Sequence, residues 1–359
     1  EDDLVHELTF GLEINELRAS VPNFAYVFGG FKCTPPILKD VSYGLPNLPT
    51  GNYKPESIPV SWCDNSNKNL VEYIIYENIA PAVSMKDYVA KCTFVEFLDK
   101  YLQALFALLM LQKRKKGFHN DLHWDNVLIK TMNKRISIPY VNEKGNIEYL
   151  ETDGISTIID YGFGHLVLDD GTNIGVTGYE NYGVFYDKFI SLHDPYKLLM
   201  FCLHGMLINK NFACFQRAVQ LYRFFNLTED PVQAISVQIK YLFMTPYNNK
   251  TTSVGLSDFI SYIRDTVPEY KLIMSSNPRT NRILGCTGND ICMSSEGVLE
   301  VLGFNSKKII DNIFDFFDIV SRLEQEERYS HVDDILKTVN SNELLEDGIK
   351  KYNEEVVKI

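Results

Sequence analysis

The chain has 359 residues, 45% of them hydrophobic and 23% charged, proportions that suit a globular protein of two or three domains, or of two lobes sharing one cleft. Its 35 basic and 47 acidic residues leave a net charge of −12, which argues against nucleic acid as the main ligand unless the few cations cluster, because phosphate contacts dominate that affinity. Cys33, Cys63, Cys92, Cys202, Cys214, Cys286 and Cys292 form an odd set without a C-x-x-C pair, which argues against a disulfide scaffold or zinc ribbon and for a reducing compartment. No secretory leader is expected, since the chain opens Glu1-Asp2-Asp3. The longest apolar run, near Leu102 to Leu111, is too short to span a bilayer. The first residue is not Met and reads as helix, so the sequence is expected to be the ordered or processed part of a longer protein.

In chain order, Asp3 to Arg18 has helical periodicity, with Leu4, Leu8, Ile14 and Leu17 on one broad face, and Val21-Pro22-Asn23 ends it. Phe24 to Phe31 reads as a strand and turn. Residues 34 to 69, rich in Pro, Gly, Asn and Ser, read as a long surface loop. Leu70 to Tyr76 is a β-branched and aromatic strand, and Glu77-Asn78-Ile79-Ala80-Pro81 a connector. Thr93 to Lys116 is the clearest helix, apolar over much of its circumference and therefore buried. Its last residues, Lys113 to Lys116, could be a nuclear signal, but cations before a Gly117 cap complement a helix C-terminus and are the better reading.

Beyond that helix, Val127 to Lys130, Ile136 to Tyr140, Ile147 to Leu150 and Ile155 to Asp160 read as short strands, with Asn142 to Asn146 as a hairpin turn. Asp169 to Asn181 reads as irregular. From Asp194 onward helices predominate: Leu198 to Leu207, Phe212 to Phe225, Pro231 to Met244, Val254 to Thr266 and the tail from Val332. Glu324 to Arg328 reads as a solvated charged face. No internal repeat is visible.

The chemistry sits between the long helix and the strands. His119-Asn120-Asp121-Leu122-His123-Trp124-Asp125-Asn126 carries an H-x-D-x-x-x-x-N pattern, and Ile158-Ile159-Asp160-Tyr161-Gly162 follows. A carboxylate to accept a proton, with an Asn and a second Asp to hold divalent metal, is what phosphoryl transfer requires. His119 and His123 are four apart, as in H-E-x-x-H zinc sites, but Asn120 replaces the Glu and the segment reads as loop, so zinc is set aside.

These two motifs, together and in this order, resemble the catalytic and metal-binding loops of the eukaryotic-like protein kinase superfamily. His123, where common protein kinases carry Lys, is similar to the haspin-like branch. With Pro22-Asn23-Phe24 and Glu77-Asn78-Ile79, the resemblance extends to Ser/Thr protein kinases of large DNA viruses and covers about residues 5 to 210.

The resemblance implies an α+β, bilobal kinase-like fold: an N-terminally truncated small lobe over residues 1–80, and a helical lobe with both loops over 81–359. It implies Asp121 as catalytic base, Asn126 and Asp160 as ligands of Mg²⁺ or Mn²⁺, and His119 as a buttress of the loop. Tyr161 stands in for the usual Phe as an aromatic anchor, and Asp194 grips the loop backbone from beneath. Glu77 to Ile79 are the hinge whose backbone receives the adenine of ATP. Either Glu7 or Glu13 of the αC-like helix pairs with a strand lysine, and Glu7 is preferred because Gly11 on its face allows close packing. Trp124 is expected to pack and Asp125 to face solvent.

ATP and a protein substrate are the implied partners, together with virion or host proteins, in host cytoplasm or virion; neither direct nucleic-acid binding nor a membrane span is expected. Two departures matter. A Gly-rich loop and strand lysine are missing upstream of the first helix, and no A-P-E triplet follows Asp160. Two alternatives therefore stay open: a pseudokinase or virion structural module, and a small-molecule kinase of the aminoglycoside or choline phosphotransferase type. The segment between Asp160 and Asp194 discriminates the latter, since protein kinases use it as a peptide platform and small-molecule kinases build helical insertions.

Overall fold

The computed structural model describes residues 2–18, 20–33, 71–77, 79–142, 144–179, 184, 189–225, 254–280 and 283. The expected loop at 34–69, the helices at Pro231–Met244 and from Val332, and the charged face at Glu324–Arg328 lie outside the described residues. The chain divides into two compact units: Glu1–Val27 with Glu77–Asn305 and Glu355–Ile359, and Phe28–Tyr76 with Ser306–Glu354. The described part of the second unit is, Val27 apart, a two-stranded sheet of β1 (Val27–Cys33) and β2 (Val71–Tyr76).

The first unit mixes helices and antiparallel strands, an α+β composition. It opens on α1 (Asp2–Asn15), whose Phe10 and Ile14 are fully buried. Asn15 ends the helix by pairing with a backbone: its amide donates to Val27 O at 2.7 Å and its Oδ1 accepts from Val27 N at 3.0 Å. Gly11 is required here, since a β-carbon would overlap the Val27 side chain. The strand expected from Phe24 begins at Val27. Phe24 instead makes an isolated parallel bridge to Ile158.

After the short β3 (Val83–Ser84) and α2 (Met85–Val89), α3 (Phe94–Lys115) runs through the centre. Thr93 caps it reciprocally with Glu96: the Thr93 hydroxyl accepts from Glu96 N, and Thr93 N donates to Glu96 Oε2 at 2.7 Å. The cap at its other end corrects the sequence reading. The left-handed residue is Lys116 (φ 47°), not Gly117; Gly117 is needed because a β-carbon would lie 2.7 Å from Leu111 and 3.0 Å from the His165 carbonyl. Within the basic run, Lys115 turns inward to Glu13 at 2.9 Å and Glu16 at 2.6 Å.

The four short strands expected after the loop merge into two long ones, β4 (Val127–Val141) and β5 (Ile147–Ile158). They pair antiparallel from Val127–Ile158 to Val141–Ile147, and a register shift between Thr131 and Ile136 absorbs the polar Asn133-Lys134-Arg135 without breaking the ladder. Asn142 Oδ1 accepts from the N–H groups of Lys144 and Asn146 to close the turn, where Gly145 has φ 80°. The sheet order is β3-β4-β5-β8, with β8 at Met274–Ser275. The segment expected to be irregular after Asp169 takes part in a small pair, β6 (Leu166–Val167) with β7 (Asn173–Ile174).

A buried polar network joins α3 to β5. Gln103 donates to Asp99 (2.8 Å) and to the Gly154 carbonyl (2.9 Å), and accepts from Ser156 N (2.9 Å) and Asn23 (3.1 Å). Asn23 in turn accepts from the Tyr140 hydroxyl at 2.6 Å. Since each of these buried groups is partnered, the network sets one register of helix on sheet. The helices α4 (His193–Ile208), α5 (Phe212–Tyr222), α6 (Leu256–Thr266) and α7 (Tyr270–Ile273) complete the unit. Pro195 lies in the first turn of α4, where its missing N–H costs nothing, and its carbonyl accepts from the Tyr101 hydroxyl at 2.7 Å. Among the described residues no helix is long and apolar enough to cross a membrane.

Candidate active site

The loop begins where α3 ends. Phe118 and His165 exchange backbone hydrogen bonds (2.7 and 2.9 Å), so the segment before the loop is tied to the segment after Asp160. His119 follows, almost fully buried. Its N–H donates to Asp194 Oδ2 at 2.8 Å, its Nδ1 accepts from Asp121 N at 3.3 Å, and its Nε2 therefore carries the proton donated to Ile159 O at 2.9 Å. One imidazole thus spans both motifs, and one carboxylate from α4 holds its backbone. Asn120 adopts φ 64°, and its side-chain amide donates to Phe163 O at 3.0 Å. Short polar residues tolerate the left-handed region best, which suits Asn here and Asp160 (φ 65°) opposite.

Asn126 closes the loop. Its side-chain N–H donates to Asp121 O at 3.0 Å, and its backbone carbonyl accepts from Ile159 N at 3.0 Å. The amide nitrogen is thereby committed to the loop, which leaves the amide oxygen for a ligand. Asp160 is exposed, and Tyr161 beside it is fully buried against Phe10. The Tyr161 hydroxyl lies within hydrogen-bonding distance of Ala25 O (2.9 Å) and Ile158 O (3.0 Å), so it does more than the aromatic packing expected of it. Its burial pushes its ionisation well above the usual tyrosine range.

Asp121 is half-buried at the loop's centre. Its Oδ1 accepts from Lys197 Nζ at 2.5 Å, while Oδ2 lies 3.7 Å from His123 Nε2. Burial, opposed by the Asp121 charge and aided by Lys197, lowers the proton affinity of His123 below the ordinary histidine value. Trp124 packs as expected, tilted against Phe201 and over Gly205, where a β-carbon would lie 2.6 Å from its ring. Asp125 is exposed, 3.9 Å from Lys86.

The two candidate glutamates on α1 separate. Glu13 is taken by Lys115, whereas Glu7 Oε2 and Asp160 Oδ1 lie 3.7 and 3.6 Å from the point where a Gly162 β-carbon would stand. Glu7 also lines a small cleft with Leu4, Gly162, Phe163, Val176 and Tyr179. Glu77 and Ile79 are buried. The Glu77 carboxylate faces Arg18 in a two-armed ion pair, one arm 2.8 Å long, and the Glu77 N–H donates to Tyr26 O.

The donors fit a hard cation. An amide oxygen and a carboxylate are oxygen ligands of the kind Mg²⁺ takes one or two of, filling its remaining positions with water and phosphate. Among the described residues no group of three or more His, Cys, Asp or Glu side chains is placed to hold a metal alone. Lys197 is the residue that sequence reading missed. Its signal was a single cation in an apolar helix, three positions after Asp194 and hence on the same face.

No protein-family profile matches the chain. Similar curated proteins include "Probable kinase 098L" of Invertebrate iridescent virus 3, 26% identical over 207 residues that make up 55% of this chain and 36% of that protein. "Uncharacterized protein 098R" of Invertebrate iridescent virus 6 is 30% identical over 181 residues, 44% of this chain and 30% of that protein. The chain spans about a third of the length of these curated relatives. It is therefore a distant relative of viral proteins, one of which is named as a kinase.

Proposed function

We propose that the chain is the catalytic part of a kinase-like viral protein that transfers the γ-phosphoryl group of ATP to Ser or Thr of a protein substrate, with Mg²⁺ or Mn²⁺ bound at Asn126 and Asp160. The fold proposed is bilobal and kinase-like, of the haspin-like branch, with residues 1–80 in the smaller lobe and 81–359 in the larger. The observation that carries this reading is the lacing of the two motifs: Asn126 bonds the Asp121 carbonyl on one side and Ile159, next to Asp160, on the other. That lacing holds one base and two oxygen ligands on a single rigid loop pair, and phosphoryl transfer depends on such positioning.

In the proposed reaction the acceptor hydroxyl oxygen bonds to the γ-phosphorus as the bond from that phosphorus to the β–γ bridging oxygen breaks. ADP leaves, and the hydroxyl proton passes to Asp121 Oδ2. The divalent ion supplies neutralisation of phosphate charge. His119 keeps the loop in place, and the Glu77 carbonyl and the backbone of Ile79 are the proposed adenine contacts. A protein acceptor is supported over a small molecule by the segment between Asp160 and Asp194, which contains the β6–β7 pair and no helix among the described residues.

The test is phosphate incorporation into degenerate Ser/Thr peptides by the intact protein, with and without divalent metal. Asp121→Asn and Asp160→Ala are expected to lose about 2–4 kcal/mol of transition-state stabilisation, on the order of a hundredfold in rate. Variants that match the parent would overturn the assignment and favour a binding module.

A further inference from the structure

Lys197 is a costly residue for its position. Its side chain is 3% exposed, in a helix whose neighbours are Leu198, Leu199 and Met200, where an apolar side chain would pack without penalty. Burying an ammonium group is expensive unless it is paired. The partner is Asp121, whose side chain is 19% exposed and so has water to solvate it without the lysine. The cost of burial falls on the cation, and the beneficiary is the carboxylate at the centre of the site.

The geometry is specific. Lys197 Nζ donates to Asp121 Oδ1 at 2.5 Å and to the Asn120 carbonyl at 3.4 Å. Asp194, one turn earlier on the same face of α4, holds the His119 N–H. One turn of one helix therefore grips both the loop backbone and the loop carboxylate. On the other side of Asp121, His123 Nε2 stands 3.7 Å from Oδ2, too far for a hydrogen bond. The loop's own residues do not hold either carboxylate oxygen with a cation.

Resting on the phosphotransfer reading, we propose that Lys197 is a positioning residue of this site: its ammonium group fixes Asp121 Oδ1 and so aims Oδ2 at the acceptor hydroxyl, supplying from helix α4 the cation that the loop lacks. A lysine that served only folding would act through stability and nucleotide affinity. A positioning lysine acts on the rate once substrates are bound.

The experiment compares the intact parent with Lys197→Met and Lys197→Arg. The readouts are kcat, KM for ATP, binding of a non-hydrolysable ATP analogue, and melting temperature. Lys197→Met is expected to lower kcat on the order of a hundredfold, as loss of a preorganised donor does, while KM, analogue binding and melting temperature hold. Lys197→Arg, which keeps a cation on the Oδ1 side, is expected to recover part of the rate. The inference is overturned by unchanged kcat in Lys197→Met, by a fall in kcat that tracks lost stability or lost analogue binding, or by no recovery in Lys197→Arg. A parent that incorporates no phosphate overturns the phosphotransfer reading and this inference together, whereas an active parent with an indifferent Lys197→Met overturns this one alone.

Discussion

Asp194 Oδ2 accepts a hydrogen bond from the His119 N–H at 2.8 Å, across 75 positions of sequence, and both groups are buried. A buried N–H that loses its partner bears the full cost of its desolvation. Asp194→Ala is expected to destabilise the protein by about 1–3 kcal/mol, measured by urea unfolding. Asp194→Asn retains an acceptor oxygen and should cost less. Equal stability of parent and Asp194→Ala would show that the loop is held by other means.

The Arg18–Glu77 pair joins the turn after α1 to the connector at Glu77, with both side chains almost fully buried. Removing either partner alone strands a charge in the interior, at a cost of about 3–5 kcal/mol. Arg18→Met with Glu77→Leu removes both charges and should be less harmful than either single change. A double-mutant cycle in denaturant measures this; additive losses would refute the coupling.

Glu7 and Glu13 should part company in function. Glu13 and Lys115 form a partly solvated pair, so Glu13→Gln should cost at most about 1 kcal/mol and leave phosphate transfer by the intact protein unchanged. Glu7→Gln, beside Gly162, should lower the transfer rate while leaving the melting temperature within a few degrees. The opposite pattern would move the functional glutamate to Glu13.

Gly205 lies beneath Trp124 and Val89, with room for no β-carbon on either side. Gly205→Ala should overpack this contact and cost about 1–3 kcal/mol in thermal or denaturant unfolding. Because Trp124 is part of the loop, the transfer rate should fall as well. An unperturbed variant would mean that the helix and the Trp124 ring shift apart freely.

Burial lowers the proton affinity of the His193 ring, outweighing the opposing pull of Asp194. Below the ordinary histidine pKa of about 6.5 the unfolded chain takes up a proton at this ring that the folded protein refuses, so this contribution to stability is present above that pH and is lost as pH falls beneath it. Unfolding free energies of the parent and His193→Gln, compared from about pH 7.5 down to 5, should therefore show the parent losing stability faster. Parallel curves would rule out His193 as the titrating group.

The local elements were largely legible from residue patterns. The broad apolar surface of α3, the turn residues at Asn142 to Asn146 and the Pro22 break all act within a few positions, where steric limits and hydrophobic periodicity dominate. The motif spacing likewise placed Asp121, Asn126 and Asp160 on loops beside strands. Asp194 as the support beneath the loop was expected from the resemblance, and its bond to His119 gives that expectation a geometry. The merging of four short strands into β4 and β5 was hidden, because a bulge lets a polar stretch ride on a continuous ladder.

What the amino-acid order determined is the identity of these elements and the chemistry they carry. What only the tertiary structure decided is which charges meet. Glu7 and Glu13 both fit helical geometry, and the sequence favoured Glu7 only through Gly11 on its face; the partner that occupies Glu13, Lys115 at the end of α3, appears only in the fold. Lys197 looked like an ordinary cation in an apolar helix until folding set it 2.5 Å from Asp121. Electrostatic partnership depends on distance in space and on burial, and neither is encoded within a short window of sequence.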